Sequence, residues 1–422
     1  MVKMKKDETN CRDRLVQIIN LAQNYKGWSL RKIAAELKRD PSRLIPDGGV
    51  PKLDLVMNLA RILDWAVEDV AAYIWNDAPA CDEQNSEKQK CDFDAIQKTA
   101  LKAHRDGQYR EAVELAQQAA ALAQTSDEKA IACTRETNGW EGQGRYQQAR
   151  ECTQRGLRIR GLSVDRRRVL QINLANSYYL LWHLDEANAM AQNLISQYEA
   201  EPPANRLNLA TRAFAHYLRG HSHRRMLARE VDEAETYAEI AREDLLRAQR
   251  LHLDMAKKFK EDAYSGIAHT CQGGILEAEV TLGLRTPEDA LEEIENSLDN
   301  LIDPEDFPTG DWLESHGWWC IFGCNIALRH LTDDRLLQHK MAVFTNKADE
   351  IAEKLGNWAL RERVFTLEYA RRQRFMDWTG MPSEWTFDRE DIRVIAGAMG
   401  RFPAFRPTAW KILESSKIVQ ES

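Results

Sequence analysis

The sequence is short of the two residues that interrupt helices, with only 12 Pro and 21 Gly in 422 positions. Long stretches are therefore free to stay helical, and an all-α protein is expected. No run of about 18 uncharged apolar residues occurs, which excludes a membrane-spanning helix. The opening Met1 to Glu8 is polar and lacks the apolar core of a secretory signal, so the expected location is cytoplasmic. Eight Cys (Cys11, Cys81, Cys91, Cys133, Cys152, Cys271, Cys320 and Cys324) are scattered without a disulfide framework, in keeping with a reducing compartment. Catalytic signatures are missing too: there is no phosphate-cradling glycine loop, no Gly-x-Ser-x-Gly elbow and no His-Glu-x-x-His. The expectation is a protein that is not an enzyme and uses neither cofactor nor metal. Cys320 and Cys324, spaced i,i+4 near His316, lack a second Cys/His pair and read as core residues.

What is present is a repeat. Gly107-Gln108-Tyr109-Arg110-Glu111-Ala112, with Ala116 and Ala119, returns 37 residues later as Gly144-Arg145-Tyr146-Gln147-Gln148-Ala149, with Thr153 and Gly156. The Gly opens a turn between antiparallel helices, the Tyr plugs the gap, and the small residues let the helices approach. The pattern resembles tetratricopeptide repeats, whose period is about 34 residues. Weaker copies fall around Trp182 to Ala191 (Leu184, Ala187), Arg229 to Ala241 (Val231, Ala234, Ala238) and Arg285 to Ser297 (Ala290, Ile294). Their spacing widens, which predicts longer helices. The expected array covers 92–310. The following 311–422 holds Trp312, Trp318, Trp319, Trp358, Trp378, Trp385 and Trp410, rings suited to capping an array or pairing subunits. Pro403 and Pro407 predict a turn before a last helix over 408–419.

Residues 1–76 carry 13 Lys and Arg against 10 Asp and Glu, a balance of +3 in a chain of net −8, so the remainder carries −11. A polar linker, 77–91, separates the two. In the first segment, Trp28 to Leu37, Pro51 to Trp65 and Val67 to Val70 resemble the helix-turn-helix domain of Cro/C1-type repressors. Ser29 is expected to cap the second helix, with Ile33, Ala34 and Leu37 inside, after a first helix over 11–25 that buries Leu15, Ile18, Ile19 and Ala22. Leu55, Val56, Leu59 and Leu63 keep a helical period in the fourth, and Val67, Val70 and Ile74 close a fifth. The counterpart of the reading helix, Asp40 to Ile45, is stopped by Pro46 after little more than one turn, and Leu30 stands where the family keeps a polar residue. The resemblance implies base contacts from Ser42 and Arg43 and phosphate contacts from Arg31, Lys32, Arg39 and Lys52.

Aligning each signature Ala with the second helix of a hairpin and counting back places Asn138, Asn176, Tyr179, His216, Arg219, His223, Gln272 and Glu279 on the concave groove. Asn side chains both donate and accept, so such a groove suits a peptide or protein ligand. Arg155, Arg158, Arg160, Arg166, Arg167 and Arg168 crowd one junction and read as a solvated surface. The overall expectation is a DNA-binding transcriptional regulator whose array senses a ligand or mediates oligomerisation, with a homodimer as one form of it. The alternative is an interaction scaffold whose head no longer touches DNA.

Overall fold

The computed structural model describes residues 2–41, 44–45, 51–63, 65, 67–75, 93–299, 301–308 and 310–418. The chain divides into two compact units, 1–90 and 91–422. The expected linker falls outside the described residues.

The first unit contains α1 (Val2–Lys26), α2 (Leu30–Glu36), α3 (Leu53–Leu63) and α4 (Val67–Trp75). The first helix thus begins nine residues earlier than its apolar pattern suggests, through a polar segment. Leu15, Ile18, Ile19, Ala22, Ile33, Ala34, Leu37, Leu55, Val56, Leu59, Leu63, Val70 and Ile74 form one buried core, joined by Leu44. Burying one such side chain contributes about 1.5–3 kcal/mol. Ser29 caps α2 by accepting from the Lys32 amide at 3.4 Å.

The second unit is a stack of helical hairpins: α5 (Phe93–Arg105) with α6 (Tyr109–Leu122), α7 (Ser126–Gly142) with α8 (Tyr146–Leu157), and α9 (Val164–Leu180) with α10 (Leu184–Ala200). Then come α11 (Arg206–Met226) with α12 (Ala234–Phe259), α13 (Ala263–Thr281) with α14 (Pro287–Ser297), and α15 (Asp311–His330) with α16 (Asp334–Leu355). The chain ends in α17 (Trp358–Thr379), β1 (Trp385–Phe387), α18 (Arg389–Arg401), α19 (Arg406–Glu414) and β2 (Ser416–Ile418). The final helix is shorter than expected because residues 416–418 leave it to pair in parallel with 385–387, a contact no local pattern announces.

The repeat positions do what their chemistry predicts. Gly107 and Gly144 take left-handed backbone, φ +74° and +67°, and Ala112, Ala116, Ala119, Ala149, Thr153 and Gly156 are buried. A Cβ at Gly142 would stand 2.3 Å from the Tyr109 ring, so that ring fills the space a side chain would take. In the fourth hairpin the buried row is Ala238, Ala241, Leu245 and Ala248, while Val231 is exposed and a 3-10 turn, Val231–Glu233, precedes the helix. The small-residue row therefore starts four positions later than Ala234.

The array also closes on itself. Tyr146 belongs to the same buried cluster as Trp385, Phe387 and Phe402, and its ring lies 5.2 Å from that of Phe402. A Cβ at Gly144 would meet the Trp358 ring at 2.7 Å, and Arg401 Nε donates to the Gln143 carbonyl at 3.4 Å. Trp182, in the third turn, is flanked by the guanidiniums of Arg225 at 4.4 Å and Arg363 at 4.9 Å. The last helices are thus seated on the turns of the second and third hairpins. The boundary expected at 310/311 is crossed by packing: Trp319 of α15 donates from Nε1 to the His269 carbonyl of α13 at 2.7 Å.

Candidate ligand cavity and candidate nucleic-acid face

Closure of the array surrounds a partly open cavity of about 580 Å³. Its walls come from α5, α7, α9, α11, α13, α15 and the turn 355–359. Each side chain gets there by helix phase: Asn138 and Glu141 are three apart on α7, as are Asn173 and Asn176 on α9 and Phe214 and Tyr217 on α11, so both members of each pair face one side.

The polar chemistry of the cavity is acidic. Glu141 accepts from Asn176 Nδ2 at 3.2 Å, and burial pushes its carboxyl up from 4.5 to about 7. Glu314 accepts from Trp318 Nε1 at 3.2 Å and from Asn357 Nδ2 at 3.0 Å, and burial, with Asp311 nearby, raises it too. Asn357 is also the cap of α17, its Oδ1 accepting from the Ala359 and Leu360 amides at 3.0 and 3.1 Å. One residue thus fixes the helix start and orients a cavity carboxylate. Asp311, exposed, stands at the rim, and burial on its inner side raises its carboxyl. No Lys or Arg is among the lining residues, and burial lowers the affinity of His104 for a proton.

Of the groove residues expected from the repeat, Asn138, Asn176 and Tyr179 line the cavity. The other five do not. His216 Nδ1 lies 2.9 Å from Asp244, Arg219 grips both Asp244 oxygens at 2.5 and 2.6 Å, and His223 reaches Asn188 at 3.2 Å. Gln272 accepts from Gln249 at 2.8 Å, and Glu279 accepts from Arg242 at 3.0 Å. All five hold helices together. For the three on α11 the reason is register: α11 and α12 have 21 and 26 residues where α9 and α10 have 17, and the lining residues Phe214 and Tyr217 stand two positions, about 200° of rotation, before His216 and Arg219. On α13 the lining residues are Ile267 and Thr270; Gln272 and Glu279, two and nine positions after Thr270, are each about half a helical rotation away.

The chain matches no protein-family model and no curated protein.

On the first unit, Arg31, Lys32 and Lys52 are exposed, as phosphate contacts require. Lys32 lies 4.7 Å over the Trp28 ring. Arg39 departs from expectation: its Nη2 sits 3.0 Å from both Asp54 oxygens and holds that carboxyl below its ordinary range. Its short reach from the end of α2 to the start of α3 makes it a brace within the head. Ser42 and Arg43 lie outside the described residues. In the Arg-rich junction, Arg155 pairs with Glu136 at 2.5 Å and Arg168 with Glu201 at 2.7 Å, so both bind their own array.

Glu141, Tyr217, Glu314 and Trp358 were not foreseen as cavity residues. Glu141 carried a usable signal, three residues after Asn138 on the same face. Glu314 and Trp358 carried none, because only ring closure brings them opposite α7.

Proposed function

We propose that the chain is a DNA-binding transcriptional regulator whose helical array holds a ligand in its central cavity. The observation that carries the reading is the cavity itself: about 580 Å³, within the range of about 300–1,000 Å³ usual for ligand sites, lined by carboxylates that burial has perturbed. The resemblance of the first unit to a Cro/C1 head and its exposed Arg31, Lys32 and Lys52 support the nucleic-acid half. A ligand touching both Glu141 on α7 and the α15 to α17 wall bridges the two arms that meet at the seam. Its binding therefore favours the closed array over an open one. In a homodimer, a change in the array's curvature alters the spacing of the two heads, and half-sites about 34 Å apart tolerate little error.

The capture of Arg39 by Asp54 favours a second reading, in which the head packs or pairs subunits and the array is a scaffold. Duplex DNA and salt separate the two. With intact protein, log affinity for a non-specific duplex is expected to fall linearly with log salt, and the double substitution Arg31→Ala, Lys52→Ala to flatten that slope by about two. Fluorescence anisotropy across a salt series reads this. Absence of binding at low salt would leave the scaffold.

A further inference from the structure

The cavity contains more chemistry than the regulator reading uses. Glu141 and Glu314 approach it from opposite arms of the closed array, on α7 and α15, and the charge of both is felt at Tyr146. Each accepts only neutral donors, from Asn176, Trp318 and Asn357. No Lys or Arg is among the lining residues: Arg225 is turned onto the Tyr179 ring and carbonyl, and Arg401 onto the Trp358 ring. A half-buried carboxylate with no cation in the wall either takes up a proton or draws its positive charge from a bound group.

Two further observations point the same way. Asn173 lines the cavity, and its Nδ2 is covered without any hydrogen-bond acceptor. Tyr109, Phe214, Tyr217 and Trp318 add aromatic wall. Aromatic rings and half-buried carboxylates together favour a cation, and an unserved amide donor favours an acceptor on the same molecule.

We propose that the ligand is a small aromatic amine bearing a hydroxyl or carbonyl acceptor, its ammonium group taken by Glu141, with the Glu314 carboxylate adding to the negative field of the same cavity, and its acceptor taken by Asn173. The volume sets the scale: about 580 Å³ accommodates a small molecule. This inference rests on the ligand half of the regulator reading.

Calorimetry with the full-length protein tests it using tyramine, N-acetyltyramine and 4-hydroxyphenylacetate, which share the phenol and differ in charge. Tyramine is expected to bind. The neutral and anionic forms are expected to bind about ten- to a hundredfold more weakly, the factor set by losing a charge-assisted contact. Glu141→Gln and Glu314→Gln, each checked for retained helicity and melting, are expected to weaken tyramine by a similar factor and to leave the residual binding of N-acetyltyramine unchanged. Failure of tyramine to bind, equal binding of all three, or indifference to both substitutions would overturn the assignment. The same preparation is titrated with duplex DNA: salt-dependent DNA binding without amine binding sinks this inference and leaves the regulator reading standing.

Discussion

Glu277→Ala is expected to destabilise the array by about 3–5 kcal/mol, the range for stranding a buried charge. Glu277, on α13 and 1 % exposed, accepts from Arg224 Nη1 of α11 at 2.7 Å and from Asn325 Nδ2 of α15 at 3.3 Å, and it also pairs with Arg329. Burial alone would raise its carboxyl, but Arg224 and Arg329 hold it below the ordinary range. Arg224 is itself only 3 % exposed, lying 4.4 Å over the Phe322 ring and donating to His221 Nδ1 at 3.0 Å. Removing the carboxylate leaves that guanidinium in the core with no anion. Urea unfolding monitored by circular dichroism measures the loss. The double substitution Arg224→Met, Glu277→Met is expected to recover most of it, because an apolar pair of similar volume carries no desolvation penalty. Loss under 1 kcal/mol for the single change would mean the three helices are not tied through this group.

The opposite sign is expected at Glu141. Its carboxyl rises from 4.5 to about 7 on folding, so between those values the folded chain binds the extra proton and stability falls as pH rises. The move corresponds to about 3 kcal/mol at pH 8, at about 1.4 kcal/mol per pH unit. Glu141→Gln keeps an acceptor for Asn176 and removes the ionisation. The ligand-free variant is therefore expected to be little changed at pH 5 and more stable than its parent by about 3 kcal/mol at pH 8. His252 and His269, lowered to about 4 by burial, work the other way, gaining stability as pH rises toward 6.5. The difference between variant and parent at each pH cancels them. A variant no more stable than its parent at pH 8 would show that Glu141 is neutralised by a partner of its own.

These two carboxylates mark what the amino-acid order makes legible. Helix-period patterns and turn residues are local, so the head's core, the left-handed turns at Gly107 and Gly144 and the buried rows after them could be read directly. Asn138 and Asn176 followed from α7 and α9, which have the same length of 17 residues. His216, Arg219 and His223 were misplaced because the longer α11 and α12 change the phase, and Gln272 and Glu279 because they lie about half a rotation from Thr270 on α13; a count along the chain cannot see a rotation. Glu277 lay within the repeat but looked like one more polar position; its importance comes from Arg329, 52 residues away. The seam is the least local feature of all, joining Gln143 to Arg401 across 258 residues. No repeat-level rule states how far a stack of hairpins must curve before its ends meet.

Closure of the array around a chamber is the claim from which the cavity, its carboxylates and the ligand assignment all follow. Arg145 is exposed beside the seam and close enough to Arg401 to disfavour that residue's charge. With benzoylphenylalanine in place of Arg145, illumination of dilute protein followed by peptide mapping tests closure directly. The account predicts an intramolecular cross-link into residues 397–406. Cross-links confined to the neighbouring hairpins, or formed only between chains, would contradict it.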